Sequence, residues 1–410
     1  MENGCSCLLF ALLGLFAILG AAISVLNRFI YLDNNKDLSF SRDGFVNLLM
    51  FFAEMVGGLP LYYILLYRAK KKATIELTLD EKTETSDDGI GEMVQLSKIK
   101  KYWLLGSPAF LDLLASFTGG FATILLPTTT YVMIRGLCLI FITFLISKYV
   151  MVNNHLWDHY IAIFILIVAF ILVIISLFFG ANKDYFTKDS AFINVIGIEF
   201  TIVSTIFQSI QFILEQKFMR KYLFHPFLFV GVEGVVGFVV NIILCIIFYF
   251  IKCSEGSIFN QICMREETGE LRLENIIYTI KSIFTNYKKI ILVIFSIICM
   301  GGYNIIGICI NKYGGALTRS VIDNFKSLLV WIFFWFIWDK DSLREHFDFY
   351  VLIGLILITL SVIIYFAPFK IDERIAIRNR IRDITLRDNS IGNINSSTAI
   401  RNSNSEQIEF

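Results

Sequence analysis

Arg319, Asp323 and Lys326 stand inside a stretch, Gly314 to Trp338, that is otherwise apolar and long enough to cross a bilayer. Spacings of four and three, at about 100° per residue, put all three on one face of a helix. An ionisable group at bilayer depth costs roughly 2.5–3.5 kcal/mol or more, which a helix facing only lipid does not recover. That face therefore looks onto a wet cavity or onto partners on other helices. Its cations are suited to holding an anionic solute, and arginine does so bidentately. The competing reading is an internal ion-pair ladder that ties a bundle together and binds nothing.

Other polar residues sit in the same apolar setting. Thr201, Ser204, Gln208, Gln211 and Glu215 fall on one helical stripe, which lines a cavity or serves as polar packing between helices. Arg135 adds a cation, and Tyr303-Asn304 follows Gly301-Gly302. The candidate solute-binding set is thus Arg135, Gln208, Gln211, Glu215, Tyr303, Asn304, Arg319, Asp323 and Lys326. Buried carboxyl groups can take up protons and supply coupling. Glu54, Asp112 and Glu233 are the candidates, with Glu215 and Asp323 beside them. Asn47 and Glu54 lie seven apart, followed by Gly57-Gly58 and Pro60, which are able to break that helix.

Enzyme chemistry finds little support. His155-Leu156-Trp157-Asp158-His159 approaches a zinc-ligand spacing but lacks the usual glutamate. Trp157 there reads as an interfacial anchor. No nucleophile elbow, phosphate loop or Cys–His arrangement is present, so no enzyme activity, metal or cofactor is expected. The net charge of +1 says nothing about nucleic acid, and with no basic, aromatic-interleaved patch in the sequence no nucleic-acid partner is expected.

Composition places these residues in a membrane. Of 410 residues, 56% are hydrophobic and only 17% charged, against about 25% charged in soluble domains. Hydropathy predicts ten helices near 8–27, 45–67, 102–125, 128–149, 157–179, 192–216, 226–250, 288–311, 314–338 and 346–367. Leu126-Pro127 and Lys312-Tyr313 each join two spans as tight helical hairpins. Lysines and arginines near the span ends favour both termini in the cytosol, together with a loop over 68–101. The loop over 251–287 would then be lumenal. Within it Cys253 and Cys263 are either a disulfide or two free thiols. Leu273, Ile276, Ile277, Ile280, Ile283 and Phe284 follow helical spacing, as in a helix lying on the membrane surface. The tail from 370 to 410 begins basic and ends rich in Asn and Ser, as disordered segments are.

Two stretches repeat. Arg135 and Asp323 lie in Val132-Met133-Ile134-Arg135 and Ser320-Val321-Ile322-Asp323. Each follows a short hairpin after paired glycines, Gly119-Gly120 and Gly301-Gly302, and each precedes the next helix by a like interval. Residues 1–180 and 190–369 then form two five-helix repeats. An odd number of spans per half makes the halves inverted, an arrangement that places a binding site between them at the midplane. Arg135 and Asp323 would approach each other across the pseudo-twofold axis.

Several of these residues also resemble a known family. Leu214-Glu215-Gln216-Lys217-Phe218, His225-Pro226 and the run from Val230 to Phe238 resemble helices six and seven of the F branch of solute carrier family 35, within the drug/metabolite transporter superfamily. The run from Leu317 to Asn324 resembles its ninth helix, Met133-Ile134-Arg135-Gly136 its fourth and Pro108-Ala109-Phe110-Leu111-Asp112 its third. Gly315-Ala316-Leu317-Thr318-Arg319 looks like the Gly-Ala-Leu-Asn-Lys motif of GDP-mannose carriers, with Thr and Arg in place of Asn and Lys. The resemblance implies an all-α membrane protein of ten helices in two inverted repeats, working by alternating access in an endomembrane such as the lysosome, vacuole or Golgi. The expected activity is secondary-active transport of a small anionic or zwitterionic solute. A nucleotide-sugar antiporter and a non-transporting scaffold or receptor are the alternatives. Its expected partners are that solute and the lipid bilayer, and a homodimer is left open.

Overall fold

The computed structural model describes residues 2–31, 43–79, 98–126, 128–150, 157–179, 188–252, 264–265, 271–285, 287–336 and 349–366. They form α1 (Glu2–Tyr31), α2 (Asp43–Leu79), α3 (Lys98–Leu125), α4 (Thr128–Val150), α5 (Trp157–Phe179), α6 (Lys188–Lys221), α7 (Pro226–Phe250), β1 (Met264–Arg265), β2 (Leu271–Arg272), α8 (Ile276–Phe284), α9 (Tyr287–Tyr313), α10 (Ala316–Phe336) and α11 (Phe349–Phe366). Apart from the short antiparallel β1–β2 pair the described chain is helical. Cys253, Cys263, His155, residues 80–97 and the tail lie outside the described residues, as do the side chains of residues 157–159.

Among the described residues, six helices are long and apolar enough to cross a membrane: those over Gly44–Ala69, Trp103–Leu125, Thr130–Tyr149, Phe192–Lys221, Pro226–Phe250 and Tyr287–Tyr313. Ala11–Asn27, Tyr160–Ser176 and Phe349–Tyr365 are shorter apolar helices. α10 carries Arg319, Asp323 and Lys326. The chain is a multi-helical membrane protein.

Two expectations need adjusting. α2 continues to Leu79, well past the predicted span end, because the segment after Arg68 is rich in good helix formers such as Ala, Lys, Leu and Glu. It also runs unbroken through Pro60. Gly57 and Gly58 serve close packing instead: a Cβ on Gly58 would meet the Gly231 backbone at 2.6 Å, and one on Gly234 would meet Met55 N at 2.5 Å. Glycine thus lets α2 and α7 approach nearly backbone to backbone.

The turn between α9 and α10 shows how sequence stops and restarts a helix. Gly315 adopts φ +99°, the left-handed conformation that glycine enters freely. The Gly314 and Gly315 amides donate to Ile310 O at 2.7 and 3.1 Å, closing α9. Gln216 of α6 then accepts from the Ala316 amide at 2.8 Å, capping α10. α8 forms where the apolar spacing predicts it, capped by the Asn275 side chain, which accepts from Tyr278 N at 3.0 Å.

Helix packing comes in matched sets. α2 packs on α7, α4 on α10 and α5 on α11. α3 packs on α6 as α1 does on α9, α4 on α6 as α1 on α10, and α2 on α9 as α3 on α7. An apolar core joins α4, α5, α10 and α11 through Met133, Ile140, Leu166, Val173, Val321 and Leu355.

Candidate functional site

A cavity of about 190 Å³ opens among eight helices. α1 contributes Gly20, Ser24 and Asn27; α2 Asn47 and Glu54; α3 Asp112, Ser116 and Thr123; α4 Tyr131 and Arg135. α6 brings Gln208, Gln211, Phe212 and Glu215, α7 Glu233, α9 Tyr303 and Asn304, and α10 Arg319 and Lys326. Of the candidate solute-binding and proton-coupling residues, Asp323 alone is not part of the cavity lining.

Glu215 anchors one part of it. Arg319 Nη1 donates to Glu215 Oε2 at 2.7 Å, and both residues are buried. Asn311 donates to the same oxygen at 2.9 Å, while Gln211 Nε2 donates to Oε1 at 2.8 Å and to Glu233 Oε1 at 3.1 Å. The Arg319 guanidinium lies 3.8 Å above the centre of the Phe212 ring, a cation–π contact strengthened by exclusion of water. Both oxygens of Glu215 receive donors, as a buried salt bridge needs if Coulomb attraction is to offset desolvation, whereas Arg319 Nε is a buried donor without a partner among the described residues.

A second pair sits about one turn further along α10. Lys326 Nζ donates to both oxygens of Asp323, at 2.6 and 2.8 Å, and the Tyr303 hydroxyl donates to the same carboxylate. Tyr303 in turn stacks on Phe16 with ring centroids 4.3 Å apart. Arg135 feels the field of Asp323 but makes its described hydrogen bond elsewhere, from Nη2 to Gln208 Oε1 at 2.8 Å. The expected approach of Arg135 and Asp323 is therefore an electrostatic neighbourhood; Lys326, three residues along the same helix, takes the carboxylate.

Tyr303 and Asn304, neighbours in sequence, diverge. Tyr303 turns to Asp323, whereas Asn304 Nδ2 donates to Glu54 Oε1 at 2.6 Å. The α6 stripe also divides. Thr201 donates to its own helix at Gly197 O and Ser204 to Ala115 O on α3, so that end is packing; Gln208, Gln211 and Glu215 face the cavity. Both readings of the stripe hold, each over part of it.

Sequence reasoning missed Asn311, Tyr131 and Phe212. The first two had a signal: Asn311 lies seven residues after Asn304, and Tyr131 four before Arg135, each on the same helical face. Phe212 had none, because an aromatic beside a polar stripe is ordinary in an apolar helix. Among the described residues no group of three or more His, Cys, Asp or Glu is arranged to hold a metal ion.

The chain is similar to solute carrier family 35 member F6 of Rattus norvegicus, 28% identical over 141 residues covering 34% of this chain and 35% of the relative. With the Homo sapiens protein of that name it is 27% identical over 139 residues, 33% of this chain and 34% of the relative. The match thus spans about a third of the length of these curated relatives. No family model matches. A solved crystal structure superposes on 87% of this chain and 95% of its own with 11% identity and a TM-score of 0.49, too slight a likeness to assign a fold. The two curated matches support membership of solute carrier family 35, the family that the motifs around Glu215, Glu233 and Arg319 resemble.

Proposed function

We propose that the protein is a secondary-active carrier that moves a small anionic or zwitterionic solute across an endomembrane by alternating access, with both termini in the cytosol. The carrying observation is the charged cavity itself, walled by α1–α4 from one side of the sequence and α6, α7, α9 and α10 from the other. Ten long helices then act as two inverted repeats, residues 1–180 and 190–369, with α8 lying at the membrane surface. Support comes from the packing: exchanging α1–α5 for α6, α7, α9, α10 and α11 converts each matched contact described above into its counterpart. Arg135 and Asp323 each occupy the eighth residue of their helices, α4 and α10. Rocking one half against the other would expose the cavity to each side in turn. The relatives are named as solute carriers, and the chain is read likewise, as a carrier and not an enzyme.

A second reading has its own observation. Glu215–Arg319 and Asp323–Lys326 are the ion pairs that a purely structural ladder would show. Arg135 separates the two, since among the described residues it pairs with no carboxylate. Purified protein in proteoliposomes should accumulate at least one solute from a mixture of organic anions and amino acids, read by mass spectrometry. Arg135→Gln should cut the initial rate about ten-fold or more, the effect of losing a charge-assisted contact to the solute, with little change in thermal midpoint. Uptake at the wild-type rate by this variant would leave the ladder as the better account.

A further inference from the structure

The polar atoms left over after the protein's own pairing have an uneven chemistry. Around Gln211 gather Glu54, Asp112, Glu215 and Glu233, from α2, α3, α6 and α7, and Arg319 is the cation that acts on all four. Arg319 Nη1 is already committed to Glu215, while its Nε is a buried donor without a partner among the described residues. Besides Asn311 Oδ1, which is not on the cavity wall, two acceptors here have no protein donor among the described residues, Glu54 Oε2 and Gln211 Oε1. Both belong to cavity-lining side chains only 3% exposed. The Gln211 amide is not free to turn over, because its nitrogen lies between two carboxylates that each need a donor. Its oxygen is thereby left for the cavity. A buried acceptor without a donor is costly, and a buried carboxylate more so.

The opposite chemistry stands at Arg135. Its Nε is a buried donor without a partner among the described residues, and Asn47 Nδ2, also on the cavity wall, is another. Asp112 is within electrostatic reach of both Glu215 and Arg135, so the acid-rich pole and the arginine pole belong to one space.

Building on the carrier reading, we propose that the solute is an amino-acid-sized zwitterion, its ammonium seated between Glu54 and Gln211 and its carboxylate on Arg135. An ammonium brings three donors, enough for Glu54 Oε2, Gln211 Oε1 and one further carboxyl oxygen of Asp112 or Glu233. A carboxylate receives the planar arginine fork. A purely anionic solute would satisfy Arg135 and leave Glu54 Oε2 and Gln211 Oε1 without a donor.

The test compares two probes that differ at one atom: a mixture of the standard amino acids, and the matching mixture of 2-hydroxy acids. With the purified full chain, the amino acids should raise the thermal unfolding midpoint by several degrees and the hydroxy acids by much less. Glu54→Gln should weaken amino-acid binding about 10- to 100-fold, and Asp112→Asn provides a second variant should the first fold poorly. Equal stabilisation by both mixtures, or none by the amino acids, overturns the ammonium assignment. It leaves the carrier reading to stand on uptake of other solutes in the Arg135 experiment. Stabilisation by amino acids without any flux would do the reverse, sustaining the site and removing the transport.

Discussion

Arg319 and Arg135 stand on one cavity wall and differ in whom they serve. Arg319 lies against Phe212 and is paired to a carboxylate that also receives Asn311 and Gln211. Arg135 is half-buried and holds one amide oxygen but no carboxylate among the described residues; the Nε of each arginine is without a partner there. A cation whose charge is paired to a carboxylate of the protein fixes helices relative to one another. One whose charge is left unpaired can bind something that comes and goes. Charge at bilayer depth is thus not one category: the surroundings decide whether it is framework or site.

The strongest way to break this contrast is Arg319→Ala. Removing one member of a buried pair leaves Glu215 uncompensated, a loss of about 3–5 kcal/mol in stability. The thermal midpoint should fall steeply whether or not solute is present. An unchanged midpoint together with lost uptake would make Arg319 a binding residue and collapse the distinction. Gly58→Ala comes next. Its new Cβ would meet the Gly231 backbone, and overpacking of this kind costs about 1–3 kcal/mol. Because α2 also carries Glu54, solute affinity should fall together with stability, whereas a fall in stability alone would show that the acid pole does not depend on the α2–α7 contact. The smallest stability effect belongs to Arg135→Gln, about 1 kcal/mol or less, although its effect on flux is among the largest. A midpoint lowered as far as in Arg319→Ala would mean that both arginines are framework.

Much of this was legible before any coordinates. The helices fall close to the predicted spans because a run of about twenty apolar residues has one favourable solution in a bilayer, the internally hydrogen-bonded helix. The candidate site residues were legible for a related reason: in a setting where charge is expensive, Arg135, Glu54, Asp112, Glu215, Glu233 and the α10 trio mark themselves by being there at all. Helical period also showed which of them share a face. It reads only along one helix, however, so it grouped Thr201 and Ser204 with Gln208 and Glu215, and only contact with α3 shows where packing ends and lining begins.

Pairing across helices was beyond the sequence. Arg319, Asp323 and Lys326 share one face at helical spacing, yet which cation takes which acid depends on neighbours a hundred residues away. Glu215 reaches Arg319 across 104 positions and Asn304 reaches Glu54 across 250. Sequence alone determined that this chain is helical, lies in a membrane and keeps its ionisable groups inside the bundle, since those follow from the cost of exposing charge or backbone to hydrocarbon. Which of those groups are spent on one another and which are left to meet a solute was decided by tertiary structure, because a hydrogen bond is formed or forfeited over about an ångström, a scale on which only the packed helices have a say.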